Sequence, residues 1–312
     1  MIRIYKTENG KVVRVQFPCE GCWISVVSPT EDEIRYLVET VELDSDFVRA
    51  ALDDEESSRI ENEEDQTLVI MDAPLAEKEA DKDTILYTTM PIGFILTKKL
   101  VVSVCLKENP VITEFENGLI KNVQTHLKTR FLLMMLLRVA TKYLQYLKQI
   151  DKLSNMIERQ LHRSLRNKEL IQLLGLEKSL VYFSTSLKSD EITLEKILRG
   201  RVIKMYEEDQ DLLEDVIIEV KQAIEMSNIY SSILSGTMDA FASVISNNLN
   251  IVMKVLTSIT ILMAIPTMVA SFYGMNVDGI PLTHFWFPVV LSLVATGIVG
   301  IILVKKNMFS SK

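Results

Sequence analysis

The chain has 312 residues, 48% hydrophobic and 24% charged, with 8 prolines and 11 glycines; this excludes a disordered, collagen-like or low-complexity protein and leaves room for one large domain or two ordinary ones. The net charge of −8 is uneven: residues 250–312 hold Lys254, Lys305, Lys306 and Lys312 against Asp278, giving +3, so the residues before them carry −11. An acidic body excludes a nucleic-acid surface, which needs an excess of Lys and Arg, and suits a cationic partner.

Residues 1–112 read as an α/β domain. Strand-like runs, mostly rich in β-branched residues, are Ile2–Tyr5, Val12–Phe17, Cys22–Val27, Leu68–Met71, Ile85–Thr89 and Leu100–Leu106. The opening MIRIYKTENG lacks the charged start and apolar stretch of a signal peptide, so the body is expected in the cytosol. Three cysteines are too few for a disulfide framework. Cys19-Glu20-Gly21-Cys22 has metal-ligand spacing, but zinc needs two further ligands; reduced thiols in a turn at a strand edge are the alternative. Ser28-Pro29-Thr30-Glu31 is expected to open a helix, with Ser28 as cap, Pro29 in the first turn and Glu31 closing a capping box. Helical patterning follows through Ile34, Leu37, Val38 and Val41, and again over Phe47–Leu52. Asp53 to Asp65 holds eight acids against Arg59, which reads as a solvated surface or as a cation site.

Residues 113–189 change character. Ala140, Tyr143, Leu147, Ile150, Leu153, Ile157 and Leu161 recur every three or four positions, the mark of a long amphipathic helix, and a cytosolic helical hairpin is expected there. A break is expected near Ser189–Asp190, followed by a stalk helix over 190–249 with Gly200 inside it.

Residues 250–272 and 285–304 are each long and apolar enough to cross a hydrocarbon core of ~30 Å. The connection 273–284 is short, so the two spans form a hairpin. Lys254 begins the first span, and Lys305 and Lys306 open a basic tail, 305–312; the positive-inside rule places both ends in the cytoplasm. Phe285, Trp286 and Phe287 form an aromatic belt at the outer face, and Asp278 in the connection either concentrates cations there or is incidental.

One face of the first span is distinctive. Asn250, Met253, Thr257, Thr260, Ala264, Thr267, Ser271 and Gly274 are spaced alternately by three and four, and all but Met253 are small or polar. The register continues backward through Ser246, Ser243, Asp239, Gly236 and Ser232. A 3.5-residue period implies a left-handed supercoiled bundle. Such a seam is either tight small-residue packing or the wall of a wet axis shared by identical helices. Rings of Asn250 and Asp239 favour the second reading, because they are costly in a dry seam but can hold a hydrated cation.

The first span ends in Tyr273-Gly274-Met275-Asn276. Gly-Met-Asn at the outer end of the penultimate span, followed by a short loop, a second span and a Lys-rich tail, resembles the CorA family of magnesium channels. Met253-Lys254-Val255-Leu256-Thr257 is similar to that family's inner mouth. The resemblance implies a cytosolic α/β domain, a stalk helix continuous with the first span, two C-terminal spans and a funnel-shaped homopentamer in the inner (plasma) membrane. It implies that Gly274, Met275 and Asn276 form the selectivity filter and that Asn250, Met253, Thr257, Thr260, Ala264, Thr267 and Ser271 line the pore, with Leu256 near a hydrophobic gate. It also places Asp239 on a cytosolic vestibule and Asp215 at a regulatory Mg²⁺ site between subunits; the acid expected opposite Asp215 falls at Arg49 or Ala50, with Asp53, Asp54, Glu55 and Glu56 close by.

The chemistry agrees. Mg²⁺ gives up its water reluctantly, and the neutral side-chain carbonyl of Asn276 accepts hydrogen bonds from a hydrated ion. The lack of a Walker-type loop is consistent with passive flow, and there is no nucleophile–base arrangement; the resemblance implies uptake of Mg²⁺ gated by intracellular Mg²⁺, so a channel with no organic cofactor is expected rather than an enzyme. Two other readings stay open: a zinc or cobalt/nickel transporter on the same scaffold, and a membrane-anchored sensor that moves no ion.

Overall fold

The computed structural model describes residues 1–63, 65–78, 85–164, 167–200, 202–276 and 284–308. Its contacts divide the chain into two units, Met1–Ser235 and Gly236–Lys312.

The first unit is built on a seven-stranded sheet. In chain order come β1 (Ile2–Glu8), β2 (Lys11–Val15), β3 (Trp23–Val27), α1 (Glu31–Glu39), α2 (Ser45–Ala50), β4 (Arg59–Glu63), β5 (Gln66–Lys78), β6 (Ile85–Leu96) and β7 (Val101–Cys105). The order across the sheet is β2-β1-β3-β7-β6-β5-β4. Every pairing is antiparallel except that of β3 with β7. That parallel pair is buried along its whole length, which its near-continuous apolar runs require.

The two faces of β3 build two cores. Ile24 and Val26 join Leu37, Phe47, Val48, Leu68 and Val102 under α1 and α2. Here the backbone of Gly93 on β6 comes so close to Ala51 that a Cβ at position 93 would stand 2.3 Å from the alanine methyl. On the other face, Trp23 Nε1 donates to Ser103 Oγ at 2.9 Å, and the indole packs against Phe115 of α3 (Pro110–Glu116) and Phe131 of α4 (Lys128–Ser164). α5 (Asn167–Gly200) adds Phe183, whose ring meets Tyr143 of α4 edge-on at 5.0 Å.

Two expectations are corrected. The cap of α1 is Thr30, not Ser28: Thr30 Oγ1 accepts from Glu33 N at 3.3 Å and Thr30 N donates to Glu33 Oε2 at 2.9 Å. Ser28 instead sits at a φ of 45° and donates its N–H to Cys105 at the end of β7. The break near Ser189–Asp190 does not exist. α5 runs through it to Gly200, because Asp190 turns inward and accepts from Ser58 Oγ at 2.7 Å. The next helix, α6 (Glu207–Tyr273), therefore starts well after position 190. Within the acidic run, Arg59–Glu63 forms β4, an edge strand whose charges discourage pairing with another chain.

The second unit holds the C-terminal part of α6 and α7 (Trp286–Lys305). Both helices contain windows long and apolar enough to cross a membrane. Pro266 lies inside α6, where its missing N–H interrupts the backbone ladder by one bond.

Candidate ion path

In the second unit α6 has two unlike sides. Leu262 Cδ2 lies 3.8 Å from the place a Cβ on Gly300 of α7 would occupy, and the Tyr273 and Phe287 rings are 6.3 Å apart. These contacts mark the side that α7 packs on. Val255, Ser258, Ile265 and Val269 share that register and are half-buried or buried. Thr257, Thr260, Ala264, Thr267 and Ser271 lie two positions further along, which at about 100° per residue is about 200° around the helix. They are exposed, as are Asn250, Met253, Leu256, Gly274, Met275 and Asn276.

Thr260, Ala264, Thr267 and Ser271 together line a shallow groove on this side. Ile259, Met263, Met268 and Phe272 flank it; the periodic stripe omits them, and the signal that finds them is their one-residue offset from it. The hydroxyls have a fixed polarity. Thr260 Oγ1 donates to Leu256 O at 2.9 Å and Thr267 Oγ1 to Met263 O at 3.0 Å. With each proton bonded inside the helix, the lone pairs are what this side offers outward. Water bound to a cation donates hydrogen bonds, so an acceptor surface fits a hydrated ion. The adjacent hydroxyl, Ser258, donates to Lys254 O at 2.8 Å but is buried on the α7 side.

The remaining predicted residues are more dispersed. Asp239 is exposed on α6 in the second unit, and Asp215 is exposed on α6 in the first. Arg49 forms a 3.7 Å ion pair with Glu31. Lys254, Lys305 and Lys306 are exposed. Asp278, residues 277–283 of the connection and Lys312 fall outside the described residues. Among the described residues, no three His, Cys, Asp or Glu side chains form a group that could hold a metal.

Cys22 is buried, and its Sγ accepts from Cys19 N at 3.4 Å. Burial raises the Cys22 thiol and pushes Cys105 up to about 12, so both stay protonated near neutrality and pack as apolar groups. The first unit also has a cavity of about 960 Å³ beside the start of α4. Three of its cations are engaged: Lys98 with Asp65, Arg130 with Glu208 and Lys128 with the Thr97 carbonyl.

The family profile described as CorA-like Mg2+ transporter protein matches residues 20–306. The chain belongs to the CorA family. It is 27% identical over 280 residues to the cobalt/magnesium transport protein CorA of Methanocaldococcus jannaschii, covering 87% of this chain and 86% of that one. It is 33% identical over 141 residues to the cobalt/magnesium transport protein CorA of Thermotoga maritima, covering 41% and 40% of the two chains. The complete structure of the CorA magnesium transporter from M. jannaschii superposes with a TM-score of 0.82 at 22% identity, covering 100% of this chain and 98% of that one. The expected architecture of an α/β domain, a long helix and a C-terminal apolar helix is therefore the CorA fold. The family is one of membrane transport proteins for Mg²⁺ and Co²⁺ rather than of enzymes, and Mg²⁺ is its cargo.

Proposed function

We propose that this chain assembles as a homopentamer and forms a passive channel through which the membrane potential drives hydrated Mg²⁺ inward. Asn250, Met253, Thr257, Thr260, Ala264, Thr267 and Ser271 of each copy line the path, Leu256 narrows it, and Gly274, Met275 and Asn276 form the filter at its outer end. Asp239 gathers cations at the inner mouth, and intracellular Mg²⁺ at Asp215 closes the channel. The spans cross the inner membrane with both ends in the cytoplasm, lipid covering the apolar sides.

One observation carries this reading: the hydroxyl-bearing side of α6 is opposite the side that α7 covers, and it presents acceptors. The driving force needs no nucleotide, since two charges crossing 100 mV gain about 4.6 kcal/mol. Mg²⁺ flux into liposomes containing the purified protein is the test. Asn276→Ala should reduce flux to the level of empty liposomes while leaving insertion and assembly intact. An anchor that moves no ion would show no flux in either protein.

The same assay addresses a second reading. Two relatives are named as cobalt/magnesium transport proteins, which supports Co²⁺ as a cargo. Competition by Co²⁺, Ni²⁺ and Zn²⁺ ranks the ions, and uptake of Zn²⁺ with none of Mg²⁺ would move the assignment to a zinc transporter.

A further inference from the structure

Asp190 on α5 is 1% exposed. Its Oδ1 accepts from Ser58 Oγ at 2.7 Å and from the backbone N–H of Asp72 on β5 at 2.9 Å. Among the described residues, its buried Oδ2 has no hydrogen-bond partner, and neither does the buried hydroxyl of Thr193, nearly one turn further along α5. The charge of Asp72 repels it, and among the described residues no basic side chain offsets the charge of either carboxyl.

The other groups facing the pair are neutral. From α4, Tyr143 donates its hydroxyl to Asp72 O at 3.2 Å. From α5, the Ser186 hydroxyl sits 2.9 Å from Thr89 Oγ1 of β6 and lowers Asp72 against its burial. Arg59 follows Ser58 in sequence, but its guanidinium pairs with Glu56 at 2.9 Å and Glu61 at 3.2 Å. A fully buried carboxylate beside a half-buried one, with no cation between them among the described residues, cannot easily stay ionised together with it.

We propose that Asp72 and Asp190 share one proton near neutral pH, and that this proton fastens α5 to the sheet. Burial, and then the charge of Asp72, raise Asp190; burial also raises Asp72. The folded pair thus keeps a proton that the unfolded chain releases. Its contribution to stability is complete below the ordinary carboxylate range and is lost as pH rises toward the raised value. α5 passes the change to the first-unit part of α6, which it meets through Ser227 Oγ on Leu180 O at 2.9 Å, Ser184 with Asn228, and Glu191 with Lys221. A rise in pH therefore loosens α5 and, with it, the start of α6.

Hydrogen–deuterium exchange of the full-length protein in detergent, followed in α5 from about pH 6 to pH 9, tests this. After correction for intrinsic exchange chemistry, opening of α5 should increase with pH, approaching tenfold per unit for one proton released. Asp190→Asn keeps the Oδ1 acceptor, places an N–H where the proton stood, and should flatten that slope. Asp72→Asn removes the second carboxylate but leaves Asp190 buried, should make the slope shallower, and serves if the first variant fails to fold. Infrared spectra of the unsubstituted protein give an independent check, because a buried protonated carboxyl shows a separate carbonyl band at neutral pH. No such band, or a slope that survives both substitutions, overturns the proposal. Neither readout involves transport, so the result does not depend on the ion path.

Discussion

Phe183 and Phe272 both sit within long helices, yet they meet different surroundings. Phe183 is fully buried, edge-on to Tyr143 and 6.4 Å from Tyr87, while Phe272 is 63% exposed. The hydroxyls follow the same division. Thr193 of α5 is completely enclosed, whereas Thr260 and Thr267 of α6 face outward. In the first unit the chain covers its own apolar surface, and polar groups inside helices hold the fold. In the second unit much of the apolar surface is exposed, and polar groups lie on the side opposite α7. A polar residue in a helix is thus not a site by its type alone; what covers it decides.

The largest effect that would break this contrast is expected in the first unit. Phe183→Ala should cost about 3–5 kcal/mol of folding stability, the range for emptying a buried aromatic position. Denaturant unfolding of the full chain, followed by Trp23 fluorescence, measures it. A loss under about 1 kcal/mol would mean that this core is not self-contained.

The next effect sharpens the contrast inside α6. Thr267→Val removes one outward acceptor per chain and should lower Mg²⁺ flux about fivefold, the equivalent of about 1 kcal/mol. Ser258→Ala, on the side that α7 covers, should leave flux unchanged. Equal losses from the two would show that the sides are not functionally distinct.

The smallest effect concerns acid. Burial would raise Glu114, but hydrogen bonds and charge from Arg138 and Lys142 outweigh it and hold its carboxyl below the ordinary range. The stability from this cluster is present above that range and is lost as pH falls through the lowered value. Glu114→Gln should flatten the acid side of a melting-temperature profile, with little change in slope above neutrality.

Much of this was legible because the relevant signals are local. The apolar runs Trp23–Val27 and Val101–Cys105 announce buried strands, and the alternation of three and four through Thr257, Thr260, Ala264 and Thr267 announces one helix face. Thr30 and Glu33 have the capping-box spacing, but Ser28 competes for the same role, and only the Ser28 N–H bond to Cys105 decides between them. Asp190 was illegible for a different reason. A Ser–Asp pair within a helical pattern resembles a helix start, and its true partners, Ser58 and Asp72, are more than a hundred residues away in the chain. The strand within Asp53–Asp65 was hidden in the same way, since pairing with β5 overrides a composition that disfavours strands. The outward side of α6 was visible as a pattern, while its opposition to α7 required the contacts of Gly300 and Phe287.

The bonding of the Thr260 and Thr267 protons to their own helix has a consequence for the sign of what can pass. Chloride and phosphate are solvated by donors, and these two side chains have none left to give. If this surface borders the permeation route, discrimination against anions extends along the wall itself, without a fixed negative charge on it.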